Sequence, residues 1–454
     1  MIKPPPETLN EVFSLIQSEP YKNHISDYMG LHKPLDDKGR YLPFEELRHR
    51  LPKHLDAIVC WSVVKSARAD QYSKILPVGE PTTWCNYILT PVAQKTISTV
   101  DINATTAALK YMTGAIGEQA HFNYLLNDLI EDEAISSSQL EGASTTTLVA
   151  KDMLKRSRKP RTPDEKMIIG NFKLMNFAWE MKAEPLSVEL ILAMHRIGVE
   201  DIDDTKYSPG RFRETDEVVV QDGEGNVVHT PPPAEGIVQR LETLSEWINI
   251  RHDDGPGGDY IHPLVKAIAL HFALGYEHPF RDGNGRVARA LFYWFMFKSD
   301  YGAFRYVSIS VLLKKAAVQY GHSYLYAETD ELDITYFVDY QCSIVMRAVN
   351  ELKTAYERSI REAEDFNRWL WDSGLYKQFS EKQKIIFQVA KSGKAKHFTA
   401  VNVKENLDCS YNTASAALNG LVDLKVFSKK KEGREWVFSM VDKTEIQKVW
   451  RAET

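Results

Sequence analysis

The stretch HPFRDGNGRVAR, residues 278–289, is a polar segment between two apolar ones. In HPLVKAIALHFALGYE, residues 262–277, apolar side chains recur at helical spacing, and ALFYWFMF, residues 290–297, is too apolar to face water. Both flanks are therefore predicted to be buried helices. The segment between them combines a histidine, an aspartate, an asparagine, two glycines and three arginines, and we interpret it as a loop that holds a ligand.

The glycines and arginines of this loop suit an anion. The second helix is predicted to begin near Arg286, so its unpaired N–H groups and partial positive charge would attract a phosphate. Gly283 and Gly285 let the backbone turn tightly and approach a ligand closely. Arg286 and Arg289 are three residues apart on one helix face, where they can clamp phosphate oxygens.

Three further side chains complete the constellation. Asn284 can donate to a phosphate oxygen, and Asp282 offers a hard oxygen ligand suited to Mg²⁺ that a nucleotide carries in. His278 titrates near neutrality and could accept a proton from an attacking hydroxyl. The alternative is a glycine-rich connector with a few solvated charges, but the convergence of these residue types favours a nucleotide phosphate site with a base at its edge.

These residues resemble the Fic-domain signature HxFx(D/E)GNGRxxR and match it at every fixed position. The likeness extends over roughly residues 115–345. It implies a mainly α-helical core with a β-hairpin flap. It also implies adenylylation, in which AMP passes from Mg-ATP to a Ser, Thr or Tyr hydroxyl of a target protein or of the chain itself.

The resemblance also implies roles for single residues. His278 would be the general base, and Asp282 would bind the magnesium ion that accompanies ATP. The remaining residues would hold the phosphates, with the last at the γ-phosphate: Gly283, Asn284, Gly285, Arg286 and Arg289.

A second pattern lies upstream in TTAALKYMTGAIGEQAHFNYLLNDLIEDEAISSSQLEG, residues 105–142, which has helical periodicity. Ser137 and Glu141 are four residues apart and so share a helix face, and Gly142 suits the end of the helix. The simplest interpretation is a solvated polar face. The pattern also resembles the inhibitory motif (S/T)xxxE(G/N) of the Fic family, which implies that Glu141 pairs with Arg289 and competes with the γ-phosphate. Removal of AMP by the same glutamate stays open.

A hairpin is predicted in EVVVQDGEGNVVHTPPP, residues 217–233, where two Val-rich runs flank a turn sequence. In the resembled family, a flap at this place docks the target, and an extended peptide could add to its edge through backbone hydrogen bonds. The alternative is an ordinary surface hairpin. Gly210, Arg211 and Arg213 resemble the stretch that leads into the flap, and we assign them no catalytic role.

Histidines around the loop also allow a metal site to be considered. His262 and His271 are nine residues apart on the predicted helix, which does not bring them together as a spacing of four would. We therefore interpret His262 as a helix start and His271 as an interior contact.

The C-terminal residues 376–454 differ in charge from the rest of the chain. They carry 15 Lys+Arg and 9 Asp+Glu, whereas the remainder carries 41 and 53. Their pattern predicts three helices and a hairpin, and it resembles a winged helix. Ser410 and residues 412–415 would open a recognition helix, and the wing would be lined by Lys429, Lys430, Lys431 and Arg434. DNA is one expected partner, and a protein contact is the alternative.

The bulk sequence predicts a cytoplasmic protein that does not cross a membrane. Prolines interrupt the N-terminus MIKPPPETLNEVFSL, and no apolar run approaches the roughly 20 residues of a membrane helix. The four cysteines show no CxxC pair, which favours a reducing compartment over a disulfide framework or a structural zinc site: Cys60, Cys85, Cys342 and Cys409.

Four regions follow from these patterns. Residues 1–114 have no assigned chemistry, residues 115–345 form the expected Fic core, residues 346–375 a connecting helix, and residues 376–454 the expected winged helix. Two rival functions remain. One is a DNA-binding regulator that uses the core as a nucleotide sensor, and the other is a Fic-fold enzyme with a different phosphotransfer or de-AMPylation activity. The target and the oligomeric state stay open, with a homodimer among the alternatives.

Overall fold

The computed structural model describes residues 2–116, 131–155, 158–202, 207–253, 260–391, 395–432 and 435–453. The chain divides into two compact units. The first consists of Met1–Thr106 and Leu129–Asn350, and the second of Ala107–Asp128 and Glu351–Thr454. The protein is mainly helical, as the sequence predicts.

In chain order the helices are α1 Val12–Leu15, α2 Ile25–Met29, α3 Phe44–Leu47, α4 Ala57–Ala69, α5 Pro91–Asn103, α6 Thr106–Ile116, α7 over residues 131–140, α8 Thr147–Lys155, α9 Pro163–Glu180, α10 Val188–Val199, α11 Ile237–Asn249, α12 Pro263–Glu277, α13 Asn284–Lys298, α14 Ser310–Lys315, α15 Ala317–Thr329, α16 Thr335–Asp372, α17 Glu381–Lys391, α18 Ala400–Asn406, α19 Tyr411–Asp423 and α20 Lys443–Glu453. The strands pair as antiparallel hairpins: β1 Ser73–Val78 with β2 Thr83–Tyr87, β3 Val220–Gln221 with β4 Val227–His229, and β5 Phe427–Glu432 with β6 Glu435–Met440.

Helices α12 and α13 form the centre of the first unit, and both are buried along most of their length. This confirms the prediction from their apolar sequences, and each large buried side chain contributes about 1.5–3 kcal/mol. The predicted start of α12 is also confirmed, because His262 Nδ1 accepts the Leu264 N–H at 3.1 Å and Pro263 begins the helix. His271 is an interior residue, as expected, and its Nε2 lies 2.8 Å from the Tyr320 hydroxyl.

Helices α9 and α10 pack closely against each other and against α13. Their backbones meet at Gly170, where a Cβ atom would lie 2.5 Å from the carbonyl oxygen of Gly198. The same carbonyl accepts a hydrogen bond from Arg286 Nη1 on α13 at 2.8 Å. The close approach of the two helices therefore sets the position of an acceptor that the predicted phosphate loop uses.

The predicted hairpin of residues 217–233 is present, although its strands are short. Asp222 forms its turn, because one carboxylate oxygen accepts the N–H groups of Glu224 and Asn226, both at 2.9 Å. This is the turn chemistry that aspartate and glycine favour.

The second unit has a core of its own. Helix α16 ends at Asp372, and Gly374 follows with φ 74°, which agrees with the end expected for the connecting helix of residues 346–375. Helices α17, α18 and α19 and the β5–β6 hairpin then follow in the predicted order, but the pattern did not predict α20. The buried side chains that these elements share include Phe366, Leu370, Phe387, Leu418, Phe427, Phe438 and Ile446.

Two predicted features fall outside the residues that the structure describes. Residues 117–130 of the helix expected upstream of Gly142 are one, and Arg434 of the expected wing is the other. Among the described residues, every helix falls short of the length or apolarity needed to cross a membrane.

The close crossing of α9 and α10 allows a prediction about stability. Gly170→Ala should lower the free energy of unfolding by about 1–3 kcal/mol, because the new methyl group meets the Gly198 backbone, which cannot rotate away. Gly321→Ala in α15 is the matched control, since its methyl group would have no described atom within 4 Å. Urea unfolding of both variants measures the difference, and equal stability of the two would contradict the close crossing.

Candidate functional site

The loop between α12 and α13 is held in shape by its own residues. His278 ends α12 in the left-handed region, with φ 44° and ψ 56°, and Gly283 begins α13 with φ 86°. The Asn284 side chain closes the loop, because its Oδ1 accepts the Phe280 N–H at 2.9 Å and its Nδ2 donates to the Phe280 carbonyl at 2.8 Å. The structure thus gives Asn284 a loop-closing role, and its contact with phosphate stays a prediction.

His278 is held as a neutral imidazole. Its Nδ1–H donates to the Gly275 carbonyl at 3.2 Å, so Nε2 carries the free lone pair. Burial lowers the pKa of His278 to about 4, which keeps the ring uncharged at neutral pH. On the other side, Arg213 Nε donates to the His278 carbonyl at 3.0 Å. The pKa thus lies below the neutral range expected from the sequence, because the ring is buried. The free lone pair of Nε2 is available to a proton, and the role of general base stays a prediction.

Arg286 is a buried cation with incomplete hydrogen bonding. It is 1% exposed, its Nη1 donates to Gly198, and its guanidinium lies 5.4 Å from the ring centre of Tyr207. Within the part of the chain that the structure describes, its Nε and Nη2 have no hydrogen-bond partner. Burial also lowers the pKa of Arg286, because the charged form is not fully compensated. Unpaired buried donors on a charged group are costly, so this guanidinium is suited to an incoming anion.

Arg289, in contrast, donates hydrogen bonds from Nε and Nη2 to residues of the second predicted motif. Its Nε donates to Ser137 Oγ at 2.8 Å, and its Nη2 donates to the Ser137 carbonyl at 3.1 Å and to Glu141 Oε1 at 2.7 Å. Burial opposes the charged form of Glu141, but Arg289 outweighs it and lowers the pKa of that carboxyl. The sequence predicted this pair, and the structure brings its members together.

The Glu141 carboxylate lies over the first turn of α13. A Cβ atom at Gly285 would collide with Glu141 Oε1 and would lie 3.0 Å from Arg289 Nη1. The absence of a side chain at Gly285 therefore makes room for the carboxylate. Unpaired N–H groups at a helix N-terminus favour an anion, so Glu141 occupies a position where a phosphate would also be favoured.

Helix α7 ends one residue before this glutamate, and hydrogen bonds to Glu133 fasten the helix. One turn before Ser137, the buried Glu133 accepts hydrogen bonds from Ser308 Oγ at 2.8 Å and from the Ser310 N–H at 2.9 Å. After Glu141, Gly142 with φ 96° ends the helical segment, as predicted.

Asp282, the predicted magnesium ligand, lies at the edge of the loop. Its side chain is only partly buried, and its Oδ1 accepts the Gly283 N–H at 2.6 Å. A partly exposed carboxylate fits a hard cation that arrives with phosphate, because such cations prefer oxygen ligands. The metal contact itself stays a prediction.

The sequence did not reveal His195, which supports the loop from α10. Its ring stacks on Phe280, with centroids 3.8 Å apart and planes at 7°. Its Nε2–H donates to the Asp282 carbonyl at 3.0 Å, and its Nδ1 accepts the Gly210 N–H at 3.1 Å. No local pattern marks this residue, because it acts through contacts with residues far along the chain.

The β3–β4 hairpin is anchored beside His278 by His229. Nδ1 of His229 donates to Glu328 at 2.8 Å and Nε2 donates to the Tyr276 carbonyl at 2.8 Å, so both ring nitrogens carry protons. Burial opposes this charge, but Glu328 outweighs it and raises the pKa of His229. Its ring centroid is 6.5 Å from that of His278, and the positive charge further disfavours protonation of His278.

Comparison with known proteins identifies the region that contains this loop. Residues 185–296 match the family model described as Fic/DOC family. The chain therefore carries a Fic/DOC domain that includes α10, the hairpin, α12 and most of α13.

Relatives with similar sequences are named protein adenylyltransferases. The protein adenylyltransferase Fic of Nematostella vectensis is 30% identical over 119 residues, which cover 26% of this chain and 25% of that protein. The protein adenylyltransferase fic-1 of Caenorhabditis briggsae is 25% identical over 223 residues, which cover 48% and 40%. The chain thus spans between a quarter and two fifths of the length of these relatives.

Among solved structures, a Fic family protein from Desulfovibrio desulfuricans G20 has a similar fold. The TM-score is 0.50 at 16% identity, and the match covers 78% of this chain and 97% of that chain. At this identity the likeness concerns the fold alone.

The burial of His195 predicts how the free energy of unfolding depends on pH. The ordinary pKa of histidine is 6.5, but burial lowers the pKa of His195 to about 4. Between these values the unfolded chain binds the additional proton, so acidification should reduce the free energy of unfolding by about 1.4 kcal/mol per pH unit for this group. His195→Phe keeps the ring stacking and should lose less stability than the wild type between about pH 6.5 and pH 4.

Urea unfolding across this pH range measures the effect, with the exposed His49→Phe as the matched control. At neutral pH, His195→Phe should itself be less stable by about 1–3 kcal/mol, because two buried backbone groups lose their partners. Identical pH profiles for wild type and His195→Phe would contradict a neutral, buried His195.

Proposed function

We propose that this chain is a protein adenylyltransferase that transfers AMP from Mg-ATP to a hydroxyl side chain of a target protein or of itself. The observation that carries the proposal is the buried guanidinium of Arg286, in which two nitrogen atoms, Nε and Nη2, have no hydrogen-bond partner among the described residues. It lies on the first turn of α13, directly after the loop that begins at the neutral His278. The named relatives support the same activity.

The reaction asks mainly for positioning and charge stabilisation. Nε2 of His278 accepts the hydroxyl proton while the hydroxyl oxygen forms a bond to the α-phosphorus of ATP. The bond from that phosphorus to the bridging oxygen breaks, and pyrophosphate leaves. Arg286 and the N–H groups at the start of α13 offset the negative charge of the phosphates, and Asp282 holds the magnesium ion that enters with the nucleotide.

Internal inhibition is part of the proposal. Glu141 pairs with Arg289 at 2.7 Å and lies over Gly285. It therefore occupies both the guanidinium and the space that a phosphate would need beside the loop. A nucleotide that binds in this state would lose the contact between Arg289 and its γ-phosphate. Its α-phosphate would then be turned away from in-line attack.

The β3–β4 hairpin is the proposed docking place for the target. Arg213 ties the segment before the hairpin to the loop, because its N–H donates to the Pro279 carbonyl at 2.9 Å and its Nη2 donates to Pro232. An extended target segment that pairs with the hairpin would lie near His278, because His229 of β4 is adjacent to that ring.

Glu141→Gly should raise the rate of adenylylation or self-adenylylation by about tenfold or more, because a hydrogen bond to a charged group contributes about 1.5–3 kcal/mol. In the same background, His278→Ala should reduce the rate by about 10²–10⁴-fold through loss of the base. Incubation with labelled ATP and Mg²⁺ followed by mass spectrometry measures both, with the mass of an AMP group on a hydroxyl side chain expected.

Glu141→Gln is the matched control for inhibition by Glu141. It keeps a group of the same shape but removes the charge, so its rate should lie between those of the wild type and Glu141→Gly. An unchanged rate in Glu141→Gly would refute the proposed inhibition by Glu141. Addition of a phosphoryl group, or release of AMP from a modified protein, would show that the activity is one of the two rival activities and not adenylylation.

The second candidate function is DNA binding by the second unit. Lys429 and Lys431 alternate along β5 and so share a face, and Lys431 pairs across the hairpin with the exposed Trp436. Lys429 Nζ also donates to Asn419 of α19 at 2.9 Å and lies 5.4 Å from the ring centre of Trp436. The exposed start of α19, including Asn412, therefore continues into a basic hairpin face, which is the arrangement expected of a groove-reading helix with a wing.

In the full chain, Lys429→Ala combined with Lys431→Ala should weaken DNA binding equally for all sequences. It should also reduce the slope of log affinity against log salt by about 0.9 for each phosphate that the variant no longer neutralises. Lys430→Ala, on the opposite face of the same strand, is the control and should change the slope less. Salt-titrated mobility shifts measure this, and no binding by the wild-type chain at low salt would exclude the candidate.

A further inference from the structure

A group of metal-ligand side chains lies in the N-terminal part of the first unit, where the sequence suggested no chemistry. His24 ends a short 3₁₀ helix, Asp27 lies on α2, and His54 lies in the loop before α4. Within the described residues, these three form a group whose ligand atoms all lie within 4.8 Å of one another. Cysteine spacing could not indicate it, because the ligands are two imidazoles and one carboxylate.

The distances in this group fit a small tetrahedral ion. Asp27 Oδ2 lies 3.4 Å from His24 Nδ1 and 3.1 Å from His54 Nε2. Bond lengths of about 2.0–2.1 Å to zinc place neighbouring ligand atoms about 3.3 Å apart at tetrahedral angles. Two edges of the coordination polyhedron are therefore already present, and the third can close by side-chain rotation because all three residues are 42–50% exposed.

The two histidines also face each other in a way that suits a shared ligand. Their ring centroids are 4.7 Å apart with planes at 45°, and one oxygen of the Asp27 carboxylate lies within 3.4 Å of a nitrogen of each ring. A metal ion would replace the protons between the rings and the carboxylate.

The helices around this group are short, so a metal ion could stabilise their packing. Helices α1, α2 and α3 are four or five residues long, too short to be stable without tertiary contacts. Next to the group, the buried Tyr28 hydroxyl accepts the Asp56 N–H at 2.9 Å, which links α2 to the start of α4. A metal ion held by His24, Asp27 and His54 would strengthen this same link from the surface.

We propose that His24, Asp27 and His54 bind one Zn²⁺ ion, with water in the fourth position, and that the ion fastens α2 to the start of α4. Two imidazole ligands select a borderline ion such as Zn²⁺ over Mg²⁺, which takes oxygen ligands. The site is separate from the phosphate loop and does not depend on the proposed function.

The test uses the full chain without a histidine tag, stripped of metal with a chelator. Competition with a chromophoric Zn²⁺ indicator should give one Zn²⁺ per chain, and Mg²⁺ in excess should not displace it. His54→Ala and Asp27→Asn should each weaken binding by about tenfold or more. His49→Ala, an exposed histidine of the same region outside the group, is the matched control and should bind as the wild type does.

Two further measurements distinguish a four-coordinate site from nonspecific binding of Zn²⁺ to the surface. Co²⁺ in place of Zn²⁺ should give the strong visible absorption of a four-coordinate site, and His54→Ala should abolish it. Zn²⁺ should raise the melting temperature of the wild type and leave that of His54→Ala unchanged. The proposal is overturned if the wild type binds no Zn²⁺ at micromolar concentration, or if His54→Ala and Asp27→Asn bind it as tightly as the wild type.

Discussion

Two guanidinium groups on one face of α13 are buried at 1% exposure each, and the rest of the site follows from how they are compensated. A buried charge needs a partner, because removing it from water costs several kcal/mol. Arg289 has its partners within the protein, in Ser137 and Glu141. Among the described residues, the only hydrogen-bond acceptor of Arg286 is the carbonyl of Gly198. One cation is thus neutralised by the fold, and the other is suited to an anion from outside.

The part of this arrangement that could be predicted from sequence is the part encoded locally. The buried flanks of the loop, the Asp222 turn and the helix end before Gly374 depend on periodicity and turn chemistry within a few residues. The support of the loop by His195 and the acceptor at Gly198 depend on the crossing of α10 with α9 and α13, far away in the sequence. Such contacts leave no periodic pattern in a single sequence.

A similar limit applies to His278. Its position in the motif predicted a base, but its chemistry depends on three other residues, two of which lie far away in the sequence. The Gly275 carbonyl sets the tautomer, Arg213 holds the backbone, and the charged His229 disfavours a proton on the ring. Asn284 shows the opposite case, since its place in the motif suggested a ligand contact while its amide closes the loop onto Phe280.

The exposure of the two partners bears on how the proposed inhibition could be lifted. The Arg289 side chain is 2% exposed, but that of Glu141 is 22% exposed, so the carboxylate can regain water by rotating outward whereas the guanidinium cannot. Helix α7 need not move for this, because Glu133 and Ser137 hold it through contacts that do not involve Glu141. If a γ-phosphate takes the place of the carboxylate as the carboxylate leaves, Arg289 keeps a charged partner. Exchange of one anion for another avoids the state with an uncompensated buried charge, which is the state that would cost most.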